Sequence, residues 1–159
     1  SWVAHTVNGA NLTSVSANDD ETSGVFTMQA EFNAPKYGQL MQNRLLIFKP
    51  VVVSRRDSLF LTEPTRKHPI MLWSEAFTET VRVKLPPGFV VDELPEAVKL
   101  ETEFGSYSAS HAMENGNLVL TRILTLRRSV LPVEKYASIR NFYQQILTVE
   151  QAPAVLIRK

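Results

Sequence analysis

The sequence predicts a mostly β domain: an antiparallel β-sandwich, immunoglobulin-like or open-barrel-like, with one C-terminal amphipathic α-helix followed by a final strand. Three observations carry this expectation. Apolar side chains recur at every second residue up to about residue 130. An Asn-Gly pair sits between two such runs. Only one segment, beyond Leu131, repeats its apolar residues with a helical period.

The first clear strand places Phe26, Met28, Ala30 and Phe32 on one face and Thr27, Gln29 and Glu31 on the other, a half-buried pattern. Asn33-Ala34-Pro35 ends it, because proline cannot donate to a ladder. Residues 8–24, rich in Asn, Ser, Thr and Asp, are expected to form a hairpin or a mobile lead-in, with 1–24 as a whole a loosely packed lead-in to one domain covering 1–159. Four short apolar runs follow, at 45–48, 51–53, 59–61 and 70–73, and their length suggests strands buried on both faces. Val81, Val83 and Leu85 then point inward against Thr80, Arg82 and Lys84, before Pro86-Pro87-Gly88 turns the chain. Val98, Leu100, Thr102 and Phe104 share the next inward face, opposite Lys99, Glu101 and Glu103.

Asn115-Gly116 is the sharpest local signal. A two-residue type I′ turn there sets the register of the strands on either side. It places Met113 opposite Leu118, His111 opposite Leu120, Ala109 opposite Arg122 and Tyr107 opposite Leu124. The other face, with Ser106, Ser108, Ser110 and Ala112 opposite Thr125, Ile123, Thr121 and Val119, is the wetter one. Tyr136, Ile139, Tyr143, Ile146 and Leu147 then form a helical stripe beginning near Leu131-Pro132. Proline suits the first turn, and Glu134 complements the positive end of the helix dipole. Ala152-Pro153 stops the helix, and residues 154–157 return as a strand.

Composition narrows the chemistry. The absence of cysteine rules out disulfides, thiolate metal sites and cysteine nucleophiles. Seventeen basic against 16 acidic side chains give no global field toward nucleic acid or an anionic membrane. The basic pairs Arg55-Arg56, Arg66-Lys67, Arg127-Arg128 and Arg158-Lys159 are separate and interspersed with acids, which fits a solvated surface. No apolar run is long enough to insert across a bilayer. The chain opens on Ser1 and not on Met, which fits an excised piece of a longer protein or a mature chain.

The motifs of catalysis are not in evidence either. No G-x-S-x-G occurs, and His5, His68 and His111 lie in unrelated contexts. No pair of histidines has zinc-ligand spacing, and the six glycines form no phosphate-cradling loop. The expectation is therefore a domain with no catalytic residue, no metal and no cofactor of its own. Four residues remain as binding candidates: Arg122, His111, Trp73 and Tyr107. Arg122 falls among inward leucines and requires a partner there. The simpler account is a structural arginine bonded to carbonyls, a carboxylate or the Tyr136 hydroxyl; the functional one is an anion pocket shared with His111. Trp73, with Trp2, Tyr37 and Tyr107, is a candidate sugar-stacking platform, although its place at the end of Pro69-Ile70-Met71-Leu72 favours packing.

From Arg66 onward an ordered set of motifs is present: Arg66-Lys67-His68-Pro69-Ile70, the run from Val83 through Pro86-Pro87-Gly88 to Val91, Leu94-Pro95, Phe104-Gly105-Ser106-Tyr107, Leu120-Thr121-Arg122, Leu131-Pro132-Val133-Glu134-Lys135-Tyr136, Phe142-Tyr143, Ala152-Pro153 and Val155-Leu156-Ile157. This order resembles a bacterial domain of unknown function that follows the transglutaminase-like core in large extracytoplasmic proteins. The likeness covers residues 60–158, and more weakly the segment with Ala34-Pro35-Lys36-Tyr37. It implies a periplasmic or extracellular accessory domain that supports or positions a neighbouring papain-like core or a protein partner. That core's Cys, His and Asp belong to another domain, so the resemblance transfers no catalytic residue here. The alternative expectation is a carbohydrate- or peptide-binding sandwich with an aromatic or edge-strand site.

Overall fold

The structure, a computed structural model, describes residues 7, 9–54 and 61–159. The chain divides into two compact units, Ser1–Gln39 and Leu40–Lys159. The first unit contains an antiparallel ribbon of β1 (Asn11–Asp20) and β2 (Val25–Asn33). Its turn is held by the Asp20 carboxylate, which accepts from the Thr22 and Ser23 backbone N–H groups and from the Ser23 hydroxyl. The register pairs Leu12 with Phe32, Val15 with Ala30 and Ala17 with Met28, so one ribbon face is apolar as the alternation predicts. Half-burial of that strand is corrected, however: Phe26 is 63% and Met28 41% exposed. Period two assigns a face, but burying the face takes a further layer, which two strands do not supply by themselves.

The strand β3 (Gln39–Met41) starts on the last residue of the first unit and continues into the second, which contains β4 (Leu45–Phe48), β5 (Ile70–Leu72), β6 (Glu75–Lys84), β7 (Phe89–Glu93), β8 (Val98–Glu101), β9 (Gly105–Glu114), β10 (Asn117–Leu126) and β11 (Ser129–Leu131). A 3-10 turn at Val133–Lys135, the helix α1 (Tyr136–Gln151) and β12 (Ala154–Arg158) complete the second unit. All strand pairs are antiparallel, in sheets ordered β6-β10-β9-β8, β3-β4-β12-β7 and β11-β5. The architecture is mostly β, with one C-terminal helix, a final strand and no closed barrel.

The β9–β10 hairpin has the register derived from its turn, including Ala109 opposite Arg122 and Tyr107 opposite Leu124. Asn115 and Gly116 both adopt positive φ, 50° and 79°, as a type I′ turn requires. Val119 departs from the expected wet face and is buried. On β6 the inward alternation reaches further back than Val81, to Phe77 and Glu79.

The main core is a helix laid on a sheet. Tyr136, Ile139, Phe142, Tyr143 and Ile146 of α1 pack with Phe104, Tyr107, Ala109, Leu124 and Leu126 of the β9–β10 region, and with Leu61, Ile70 and Leu72. Phe142 meets Phe104 edge to face, with ring centroids 5.3 Å apart. Two polar ties fasten the helix to the preceding chain: Tyr136 donates to the Glu63 carbonyl at 2.5 Å and Arg140 Nε to the Leu61 carbonyl at 3.0 Å. Gly105 starts β9 where a Cβ would lie 2.4 Å from the Thr125 carbonyl oxygen, so this close approach of strands excludes any side chain.

Among the four short apolar runs, 45–48 and 70–72 are strands, whereas 51–53 has none of the strand pairing expected of it. Leu61 is buried; Leu59 and Phe60 of the same run lie outside the described residues. Burial on both faces does not hold at 70–73. Ile70 and Leu72 are in the core, but Met71 is 52% and Trp73 65% exposed. The helix also begins later than Leu131-Pro132, because Leu131 is paired with Ile70 in β11 and the 3-10 turn intervenes.

Candidate functional site

The most charged place in the interior is built on Arg122, whose side chain is fully buried in the middle of β10. Strand alternation points it to the core face, and the small Ala109 opposite leaves it room. Three separate segments of the chain meet its guanidinium. Nε donates to Glu79 Oε2 of β6 at 2.5 Å, and one terminal nitrogen donates to Glu150 Oε1 of α1 at 2.5 Å. The other terminal nitrogen donates to the Val53 carbonyl. The Phe77 ring, two residues before Glu79 on the same inward face, lies 5.4 Å from the guanidinium carbon. Ser54 donates its hydroxyl to the second oxygen of Glu150 at 3.4 Å.

Burial governs the protonation of this cluster, and the neighbouring charges oppose or reinforce it. Burial alone would lower the Arg122 pKa, but the hydrogen bond and charge of Glu79 and the charge of Glu150 more than offset this, and the net shift is upward. Burial pushes the Glu150 carboxyl above its ordinary range, against the pull of Arg122. Tyr107 is pushed up to about 12, by burial first and then by the Glu150 charge, with Arg122 opposing. Its hydroxyl is buried without a well-formed hydrogen bond. A buried ion set of this kind holds elements in one arrangement and is costly to break at a single member. Here it ties β10, β6, the C-terminal turn of α1 and residues 53–54 together.

The four sequence candidates therefore separate. Arg122 and Tyr107 share the buried cluster. His111 is on the same strand face as Tyr107 and Ala109, but it is not among the Arg122 partners described above. Burial lowers its pKa, with the Pro95 backbone opposing the shift, and its Nδ1 is buried without a partner. Trp73 stands apart at the end of β5, exposed, with the Arg128 guanidinium 5.2 Å above its ring; the expectation that it packs inward is corrected. Trp2 lies outside the described residues.

Glu79 and Glu150 were not singled out from the sequence, although each carries a signal. Glu79 occupies an inward position two residues before Val81, and Glu150 continues the stripe of Tyr143 and Ile146 along α1. An acid on an apolar face needs a partner if it is to stay charged, and Arg122 is the one fully buried basic side chain among the described residues. Among those residues no group of three or more His, Cys, Asp or Glu has the arrangement to hold a metal ion.

No curated protein and no solved structure matches the chain. Residues 43–156 match the family model described as "Domain of Unknown Function with solved-structure structure (DUF3858)". That span contains β4 through α1, with Arg122, Glu79, Glu150 and the Gly105 approach, and the chain accordingly belongs to this family of domains of unknown function.

Proposed function

We propose that the domain is a non-catalytic accessory module of a larger bacterial, extracytoplasmic transglutaminase-like protein, where it supports or positions the papain-like core or a partner. The observation that carries this reading is the use of Arg122. The residue best suited to take an anionic ligand is fully buried and directs Nε and both terminal nitrogens to Glu79, Glu150 and Val53. Its electrostatic role is internal, and the rigid scaffold it ties together suits a domain that holds a neighbour in place. The ordered motifs from Arg66 to Ile157 support the same association by resemblance.

Two measurements test the proposal. The coding sequence upstream of this segment is expected to encode a papain-like core with its Cys, His and Asp; its absence overturns the reading. A thermal-shift screen of the purified chain against soluble glycans is expected to leave the melting temperature unchanged. A saturable, ligand-dependent rise would identify a carbohydrate-binding module instead.

A further inference from the structure

We infer that the outer face of the β5–β11 ribbon is a docking surface for an extended protein segment that carries apolar side chains beside a carboxylate. This rests on the reading of the domain as an interaction module and names the surface used. Ile70 and Leu72 point from β5 into the core, which sends Met71 and Trp73 outward. Met71 pairs directly with Val130 of β11. Met71, Trp73 and Val130 are 52%, 65% and 67% exposed, three large apolar side chains on one short ribbon. Scattered exposed apolar residues need no explanation, whereas an adjoining set with Trp, Met and Arg has the composition of an interface centre.

Charge identifies the occupant. Arg128 lies over the Trp73 ring, 5.2 Å from its centroid, and makes no ion pair among the described residues. The ring attracts the guanidinium, whose N–H groups, engaged by no acid among the described residues, are the natural donors to a carboxylate. Arg127 beside it is exposed, and so are Arg66 and Lys67 ahead of β5. The nearby acid Glu103 is already bridged to Lys135 at 2.8 Å. β5 and β11 form a two-stranded sheet, so each has one hydrogen-bonded neighbour among the described strands; in the proposed complex the segment adds at the other edge. An acidic, apolar, extended segment satisfies the ring, the cation and the edge together. A sugar would use the ring but leave the cation unmatched.

The probe is the acetylated, amidated peptide Thr-Val-Thr-Val-Asp-Asp, with Thr-Val-Thr-Val-Lys-Lys as its charge-reversed control, titrated into the isotope-labelled full chain and followed by two-dimensional NMR. The Asp-ended peptide is expected to shift the Met71 and Val130 amides and the Trp73 indole, with a dissociation constant on the order of 1 mM or tighter. The Lys-ended peptide, Trp73→Ala and Arg128→Glu should each weaken binding about tenfold or more, one decade being roughly 1.4 kcal/mol. Both substituted side chains are exposed, and an unchanged melting temperature shows that each variant is folded. Equal binding of both peptides, no shift with the Asp-ended peptide up to about 5 mM, or shifts at these residues only with phosphatidylglycerol vesicles overturns the inference. Any of these results leaves the accessory reading standing, since that depends on the upstream coding sequence and the glycan screen.

Discussion

Replacing Arg122 with methionine isolates the charge it supplies, because methionine keeps much of the stem's volume and limits the cavity left behind. The exposed consequence is Glu150, only 3% accessible, whose charged partner is removed. Glu150 can escape by binding a proton. Its ordinary pKa is 4.5, so holding that proton at pH 7 costs at most about 3.4 kcal/mol, at roughly 1.4 kcal/mol per pH unit. The Val53 carbonyl also loses its donor, which adds about 1–3 kcal/mol. Part of the Glu150 cost is already present in the parent, where burial raises its pKa despite Arg122. The net loss expected at pH 7 is therefore about 3–5 kcal/mol, the range for breaking a buried pair, or roughly 6–20 °C in melting temperature.

The pH dependence separates this account from a simple packing defect. A carboxyl whose folded pKa is raised favours the folded state below its unfolded pKa and penalises it as pH rises through the folded one. At pH 5 the proton on Glu150 costs at most about 0.7 kcal/mol, so Arg122→Met should regain up to about 2.7 kcal/mol between pH 7 and pH 5. The parent should show the same sign with a smaller amplitude, because Arg122 opposes the shift. Urea unfolding at both pH values, with Arg122→Met/Glu150→Gln alongside, measures each quantity. The double variant should lose most of the extra pH response. Parent-like stability of Arg122→Met at pH 7, or a pH response that persists in the double variant, would refute the reasoning.

Tyr107→Phe removes a buried hydroxyl that has no well-formed partner, so it should stabilise the domain by about 1 kcal/mol at neutral pH. With the Tyr107 pKa pushed up to about 12 from 10, the parent should lose about 2.7 kcal/mol as pH climbs from 10 through 12, and the phenylalanine variant should not. Circular-dichroism melts across that range test both statements, and a destabilised Tyr107→Phe would mean that Arg122 donates to the hydroxyl after all. Gly105→Ala should cost about 1–3 kcal/mol in urea unfolding, because its Cβ would collide with the Thr125 backbone oxygen and Leu126, unless β9 shifts to admit it. Substitution at the exposed Gly88, where a Cβ meets nothing within 4 Å, should cost less and only through its positive φ of 80°.

The parts of the fold legible in the sequence are those set by local rules. Asn115-Gly116 requires two positive φ angles, and that alone aligned ten residues of β9 against ten of β10. The period of α1 and the Ala152-Pro153 stop act over one or two turns, and both hold. Elements failed where the deciding contact was remote. A three-residue strand such as β11 has no period of its own, so the sequence does not specify its pairing with β5, and the helical pattern extends back over residues that the sheet claims. Phe26 and Met28 show the complementary limit: their spacing was right, but no local rule says whether a layer covers the face.

The buried cluster was half legible for the same reason. Register put Arg122 inside the core, and the requirement for a carbonyl or carboxylate beside it followed from the cost of an unpaired charge. The identity of the partner did not follow, since Glu79 is 43 residues away and Glu150 is 28. Yet both acids occupy inward positions on their own elements, and such positions are rare enough to be matched across elements. Periodicity applied to charged residues as strictly as to apolar ones puts Glu79, Arg122 and Glu150 on three inward faces from the sequence alone. The one assignment it could not make is which face covers which, because that depends on α1 crossing β9 and β10 with its C-terminal turn over Arg122 and not over Leu126. That crossing is selected by the aromatic packing of Phe104, Phe142 and Tyr143, with the ion cluster penalising any alternative that leaves Glu150 unpaired.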